Sequence, residues 1–243
     1  MIGNVVSRRY ASALFALGRE AGEKEMERYA ATLNALGEAV EESRTLADAF
    51  RNPVLSVEEK KKVVLALLEK AARLDIQMIC PLHGPLWRRN LDEILAKYAK
   101  WGAYEPEKQG VLLAFASVYG GTENAADILA CRLAERGVPV AMYDVSLTHP
   151  SYILADCFRY SHLVFASTTY NAGIFINMET ALHDIVAHNL QNRTVALIEN
   201  GSWAPTSGGL MRDLLGKLKN ITFLDGGVTI RSSVKDEQRA ALE

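Results

Sequence analysis

The chain has 243 residues, 49% of them hydrophobic and 23% charged, enough for one large domain or two modest ones with a real core. Lysine and arginine number 27 against 29 aspartates and glutamates, a net charge of −2, and no basic cluster with interleaved aromatics stands out, so nucleic-acid binding lacks an electrostatic footprint. No apolar run reaches the roughly 18 residues of a membrane span, and the start lacks the order of a signal peptide. A cytoplasmic protein without membrane insertion is expected. Cys80, Cys131 and Cys157 are odd in number, widely spaced and without a Cys-x-x-Cys pair, and read as reduced thiols.

Residues 1–73 carry helical periodicity throughout. Val6, Tyr10, Leu14 and Leu17 recur at helical spacing, with Gly18 and Gly22 as the stop. Met26, Tyr29, Leu33, Leu36 and Val40 keep a narrower seam suited to helix–helix packing. A short helix through Leu46 and Phe50 ends at Asn52-Pro53, because proline disfavours helical geometry in the residue before it. Ser56 with Glu59 spells a capping box, and Val63, Val64, Leu67 and Leu68 form the apolar face of the helix that follows. The Lys60–Lys62 run reads as its solvated side. Four short helices without a sheet predict a bundle.

Residues 74–109 connect two styles of sequence, with a strand expected at Ile76–Cys80, a turn at Pro81–Pro85 and a helix at Leu91–Trp101. From Gly110 onward, apolar runs at Val111–Ala116, Val138–Tyr143, Leu163–Ala166, Thr194–Ile198 and Ile221–Leu224 alternate with helical stretches. The helices are expected near 122–135, 150–159, 176–189 and 206–218. This pattern predicts an α/β domain over 110–243, a five-stranded, doubly wound parallel sheet covered on both faces. Ligands of such sheets bind outside the carboxyl ends of the strands.

The first strand runs into Ser117, Val118, Tyr119, Gly120, Gly121 and Thr122, directly before a helix. Small residues, hydroxyls and a helix N-terminus suit a phosphate. Neither the triphosphate loop ending in Gly-Lys-Ser/Thr nor the dinucleotide Gly-x-Gly-x-x-Gly is present. The competing reading is a plain glycine turn with Thr122 as N-cap. The third strand ends in Ser167, Thr168, Thr169, Tyr170, Asn171, Ala172 and Gly173, and the fourth leads into Asn200, Gly201, Ser202, Trp203, Ala204 and Pro205, both where the ligand crevice is expected. Tyr170 and Trp203 are placed to sandwich a flat heteroaromatic ring, with backbone around Asn171 and Gly201–Ser202 for its polar edge.

Residues 76–243 resemble the C-terminal part of the flavodiiron proteins (A-type flavoproteins) at Cys80-Pro-Leu-His-Gly-Pro85, Ser117–Glu123, Ser167–Asn171 and Trp203-Ala-Pro205. The resemblance implies a flavodoxin-like fold binding FMN. It implies phosphate contacts at Ser117, Tyr119, Gly120 and Thr122, and ring contacts at Thr169, Tyr170, Asn171, Ser202 and Trp203. It also implies that His83 would be the last ligand of a two-iron site on a preceding domain. No histidine precedes His83 here, so no metal site is expected. Residues 1–73 resemble the N-terminal helical domain of the ATP synthase delta subunit at Arg9–Leu14, Asn52–Ser56 and Glu59-Lys60. The expected function is an FMN-binding electron-transfer module with a redox protein partner and without the diiron domain. The alternatives are a delta-like stator or adapter acting through the helical bundle, by protein contact or self-association, and a flavin-dependent reductase.

Overall fold

The computed structural model describes residues 22, 24, 26–28, 30, 31, 34, 56–71, 73–81 and 84–242. Most of the helices expected before residue 56 lie outside the described residues, as does His83. The chain divides into two units, Met1–Val63 and Val64–Glu243. Helix α1, Val57–Ala71, opens with the capping box its sequence spells. The Ser56 backbone N–H donates to Glu59 Oε2 at 2.8 Å, and the Glu59 N–H donates to Ser56 Oγ at 3.4 Å. The Ser56 hydroxyl, which also donates to Glu59 Oε2 at 2.7 Å, and then the Ser56 N–H hold the Glu59 carboxyl below its ordinary pKa.

In the connecting segment the expected strand at Ile76–Cys80 is only a single antiparallel bridge, Ile79 to Trp87. Two residues cannot form a ladder, and the prolines at 81 and 85 withhold the N–H donors that would extend it. Helix α2, Leu91–Ala103, forms as the periodicity requires and ends on Tyr104 in left-handed geometry, φ 57°.

The remaining elements alternate as the apolar runs predict. They are β1 (Lys108–Ala116), α3 (Gly121–Glu135), β2 (Val140–Asp144), α4 (Pro150–Arg159), β3 (Tyr160–Tyr170) and β4 (Gly173–Ile174). They continue with α5 (Ile176–Ala187), β5 (Arg193–Asn200), α6 (Ser207–Leu215), β6 (Ile221–Phe223), β7 (Val228–Ile230) and α7 (Asp236–Ala241). The sheet runs β2-β1-β3-β5-β6 with all four pairings parallel. Strand β4 turns back on β3 as a hairpin, and β7 pairs in parallel with the upper half of β5. β6 and β7 thus form one interrupted edge, in which Ala196 and Leu197 of β5 face the four residues 224–227.

Alternation along the strands explains the double winding. Leu112, Ala114 and Ala116 of β1 join Leu163 and Phe165 of β3 against Ile153 and Cys157 of α4, Met178 and Leu182 of α5, and Met211 of α6. Val111, Leu113 and Phe115 point to the other face, with Val164, Ala166 and Ile198, against Ala125 and Ala126 of α3 and Leu242 at the end of α7. Because successive side chains point to opposite faces, a continuous apolar run is what a strand covered on both sides demands.

Candidate functional site

The strand order reverses direction between β1 and β3, since the chain leaves β1 towards β2 on one side and returns to β3 on the other. Such a switch point leaves a crevice outside the carboxyl ends of the strands. A cavity of about 450 Å³ opens there, within the range of roughly 300–1,000 Å³ usual for small-molecule sites. Val118, Tyr119 and Gly121 line it from the β1 loop, and Thr168, Thr169, Tyr170, Asn171 and Ala172 from β3 and its turn. Asn200, Gly201, Ser202, Trp203 and Ala204 come from the β5 loop, and Ser232 from the segment after β7. No lining residue is charged. Ten of the fourteen residues expected from the sequence are brought together here; Ser117, Gly120, Thr122 and Ser167 are not among the lining residues.

The β1 loop enters α3 through Gly120, the N-cap, whose φ of 81° is a left-handed value that costs glycine nothing. This overturns the reading of Thr122 as N-cap: the cap lies two residues earlier, and Thr122 is the second residue of the helix. The first helical bond joins the Asn124 N–H to Gly120 O at 2.9 Å, so the amides of 121–123 precede the ladder and are the anion-attracting end of the helix. Thr122 is fully buried, 2.8 Å from Thr168 Oγ1. Thr168 Oγ1 also lies 3.3 Å from Ala116 O, so the Thr122 hydroxyl is already paired within the protein. What Thr122 offers an anion is therefore its backbone amide. Ser117 Oγ is buried without a hydrogen-bond partner, the sole such side-chain atom among the described residues. A buried hydroxyl left unsatisfied is costly, and one beside a helix N-terminus fits a site completed by an anionic ligand.

The β3 residues divide their labour. Ser167 is fully buried and structural: its carbonyl accepts from Ser207 Oγ at 2.9 Å, and its hydroxyl accepts the Phe175 N–H at 3.4 Å. Thr169 Oγ1 accepts the amides of Thr206 at 3.0 Å and Ser207 at 3.2 Å, capping α6 from a neighbouring strand in place of the helix's own N-cap residue. Tyr170 stands edge-on to Phe175 at 6.0 Å and 72°, and remains half exposed. Asn171 and Ala172 are the two residues of the β3–β4 hairpin loop, with φ of 49° and 57°, the positive pair of a type I′ turn. Alanine is strained in the second place, where glycine is preferred. Ala172→Gly is expected to stabilise the domain by about 0.5–1 kcal/mol, the relief of left-handed strain exceeding the added chain entropy. A thermal unfolding midpoint at or below the parent's would count against that strain.

Two aromatic rings stand almost bare beside the cavity, Tyr119 at 98% and Trp203 at 90% exposure. The sequence reading placed Ala172, Asn200 and Ala204 in the crevice loops without naming them as contacts, and it missed Ser232. Val228, Thr229 and Ile230, alternating directly after Gly226-Gly227, were the available sign that a further strand leads back to the site. Elsewhere, Tyr143 donates to buried Asp156 Oδ2 at 2.7 Å, and Arg159 pairs with the same carboxylate at 2.6 Å. That bond, with burial, pushes the Tyr143 phenol up to about 12. Among the described residues no group of three or more His, Cys, Asp or Glu is arranged to hold a metal. No described helix is long and apolar enough to cross a membrane.

Residues 6–82 match the ATP synthase delta (OSCP) subunit family. ATP synthase subunit delta of Oleidesulfovibrio alaskensis is 49% identical over 101 residues, 41% of this chain and 55% of that protein. A putative diflavin flavoprotein of Nostoc sp. is 26% identical over 175 residues, 72% of this chain and 30% of that protein. A variant of the flavo-diiron protein of Thermotoga maritima superposes with a TM-score of 0.62 at 28% identity, covering 75% of this chain and 46% of that one. The chain thus spans about half, or less, of the length of each of these three proteins. Sheet order and these likenesses define a flavodoxin-like α/β fold similar to that of the flavodiiron proteins. The chain joins that domain to a segment similar to the ATP synthase delta subunit.

Proposed function

We propose that the flavodoxin-like domain, residues 110–243, binds one FMN in the switch-point cavity and passes electrons to or from a redox protein. The observation that carries this reading is a cavity with an uncharged lining, two exposed aromatic rings and a helix N-terminus beside an unpartnered buried hydroxyl. Ser117, the amides of Gly121–Glu123 and the loop Val118–Gly120 would hold the phosphate. Tyr119, Tyr170 and Trp203 would cover the ring, with Thr169, Asn171 and the Gly201–Ser202 backbone around its polar edge. Flavin, once bound, supplies the one- and two-electron chemistry; the residues orient it and exclude water. A phosphate held by amides and hydroxyls rather than by lysine favours a monophosphate over a triphosphate.

Reconstitution tests this directly. The full chain is incubated with FMN, FAD or riboflavin, filtered, and its visible spectrum recorded. One FMN per chain, with riboflavin held more weakly, is expected. Preference for FAD, or no retained flavin, would sink the reading.

A second reading is favoured by the match over residues 6–82: an adapter that docks on a larger assembly through its N-terminal helices. Its domain layout would be a helical bundle at 1–73, a connector at 74–109 and the α/β domain at 110–243. A chain that stays colourless after reconstitution but co-purifies with ATP synthase subunits supports this reading over the first.

A further inference from the structure

We propose that Asn200 and Ser232 form a latch that seats the C-terminal arm, residues 228–242, as a fourth wall of the cavity, with Asn200 as its positioning residue. The proposal rests on the flavin reading above. In the β5–β7 ladder Asn200 lies opposite Ile230, and two residues later the chain folds back at Ser232 with a left-handed φ of 67°. Arg231 and Ser233 close this turn by an antiparallel bridge.

The Asn200 amide grips the turn from both sides. Its Nδ2 donates to Ser232 O at 3.1 Å, and its Oδ1 accepts the Ser232 N–H at 3.0 Å. Only a carboxamide offers a donor and an acceptor at that spacing; an ionised carboxylate would put two acceptors against the Ser232 carbonyl. Asn200 is 5% exposed, so water does not replace a lost partner cheaply. Three further bonds tie the arm to the β5 loop. The Gly201 N–H donates to Ile230 O at 3.1 Å, Arg231 Nη1 donates to Trp203 O at 3.1 Å, and the Ser202 and Ser232 hydroxyls lie 3.1 Å apart.

The far side of the turn rests on α3. A Cβ at Gly121 would collide with Ser232 O and would lie 3.0 Å from Asn200 Nδ2. The Ser232 carbonyl therefore lies against both the Asn200 amide and the first residue of the helix that follows the β1 loop. Glycine at 121 is required by this close approach, independently of any phosphate. The turn fastens the β1 loop to the β5 loop, and both line the cavity with Ser232 itself. A ligand that needs both loops at a fixed separation binds when the arm is seated. By reciprocity, that ligand makes the arm harder to open.

The test is FMN titration of the full chain by quenching of flavin fluorescence, alongside amide hydrogen exchange with and without FMN. Asn200→Asp deletes the donor, and Ser232→Pro removes the N–H and cannot adopt φ 67°. Each is expected to weaken FMN binding at least tenfold while β1 and β3 amides keep their protection. Ser232→Gly keeps both backbone partners and accepts the left-handed turn, and is expected to bind at least tenfold more tightly than Ser232→Pro. In the parent, FMN should slow exchange across 228–242; in Asn200→Asp it should not. If the parent binds FMN but both disruptive variants bind as tightly, or FMN leaves the arm's exchange unchanged, the latch is wrong and the flavin site stands. If the parent retains no flavin, the flavin reading falls and the latch with it. Should Asn200→Asp fail to fold, the contrast between Ser232→Pro and Ser232→Gly decides alone.

Discussion

Arg193→Ala is expected to destabilise the α/β domain by about 3–5 kcal/mol, because each buried carbonyl left unsatisfied costs about 1–3 kcal/mol and several lose their donor together. Arg193 is 2% exposed at the start of β5, and its guanidinium is spent entirely on backbone carbonyls. Nε donates to Cys157 O and Nη2 to Phe158 O, both at 2.9 Å, in the last turn of α4. Nη1 is shared among Tyr104 O and Gln191 O at 2.8 Å and Asn192 O at 3.1 Å. The end of a helix has carbonyls without intrahelical partners and a partial negative charge, so one cation satisfies α4, the cap of α2 and the turn into β5 together. Burial pushes the guanidinium down to about 10, which still leaves it charged at neutral pH.

Alanine would leave the carbonyls of Cys157, Phe158, Gln191 and Asn192 to find water, while Tyr104 O keeps the Asn192 Nδ2 donor, and would leave a cavity as well. Arg193→Lys keeps the charge but not the five-donor fork, and should recover about half of the loss. Denaturant-dependent hydrogen exchange of the β3 and β5 amides reads both. A loss under about 1 kcal/mol in the alanine variant would mean that water reaches these carbonyls freely, and that the arginine does not hold the helix ends together.

This arginine shows where the sequence stopped being legible. Asn192-Arg-Thr reads as a chance glycosylation match, and arginine is among the residues least often buried whole. Its partners, at 104, 157, 158, 191 and 192, converge only once the fold exists. The opposite case is β1 with its loop: a continuous apolar run, two glycines and a helical stretch are local signals, and local physics places them correctly. Strand β3 runs from Tyr160 to Tyr170, beyond the apolar core Leu163–Ala166, because its polar ends Ser161, Thr168 and Thr169 are chosen by tertiary partners. The edge strand is split into β6 and β7 by Asp225-Gly226-Gly227, which hides its second half from any search for apolar runs. Ser232 carries no pattern of its own. Its place in the cavity follows from a left-handed turn held by an amide thirty-two residues earlier.

Trp203→Ala is expected to weaken FMN binding by about 2 kcal/mol, or about 30-fold in Kd. The indole is 90% exposed, so a flat ring laid against it would remove apolar surface from water on both partners. Covering roughly 50–100 Å² at ~25 cal/mol/Å² gives about 1–2.5 kcal/mol. Offset stacking adds about 0.5–1.5 kcal/mol. Fixing the side chain subtracts about 0.5–1.5 kcal/mol. Tyr170 differs, since Phe175 already braces its ring and less order is lost on binding. Trp203→Phe should fall between alanine and the parent, because it keeps a smaller stacking face. The midpoint potential of the bound flavin should rise in Trp203→Ala, because water admitted to the ring stabilises the negative charge gained on reduction. Fluorescence titration and a redox titration of the reconstituted chain measure both effects. An unchanged Kd with an unchanged visible spectrum would make Trp203 a surface residue, and would leave the ring-binding role to Tyr119 and Tyr170.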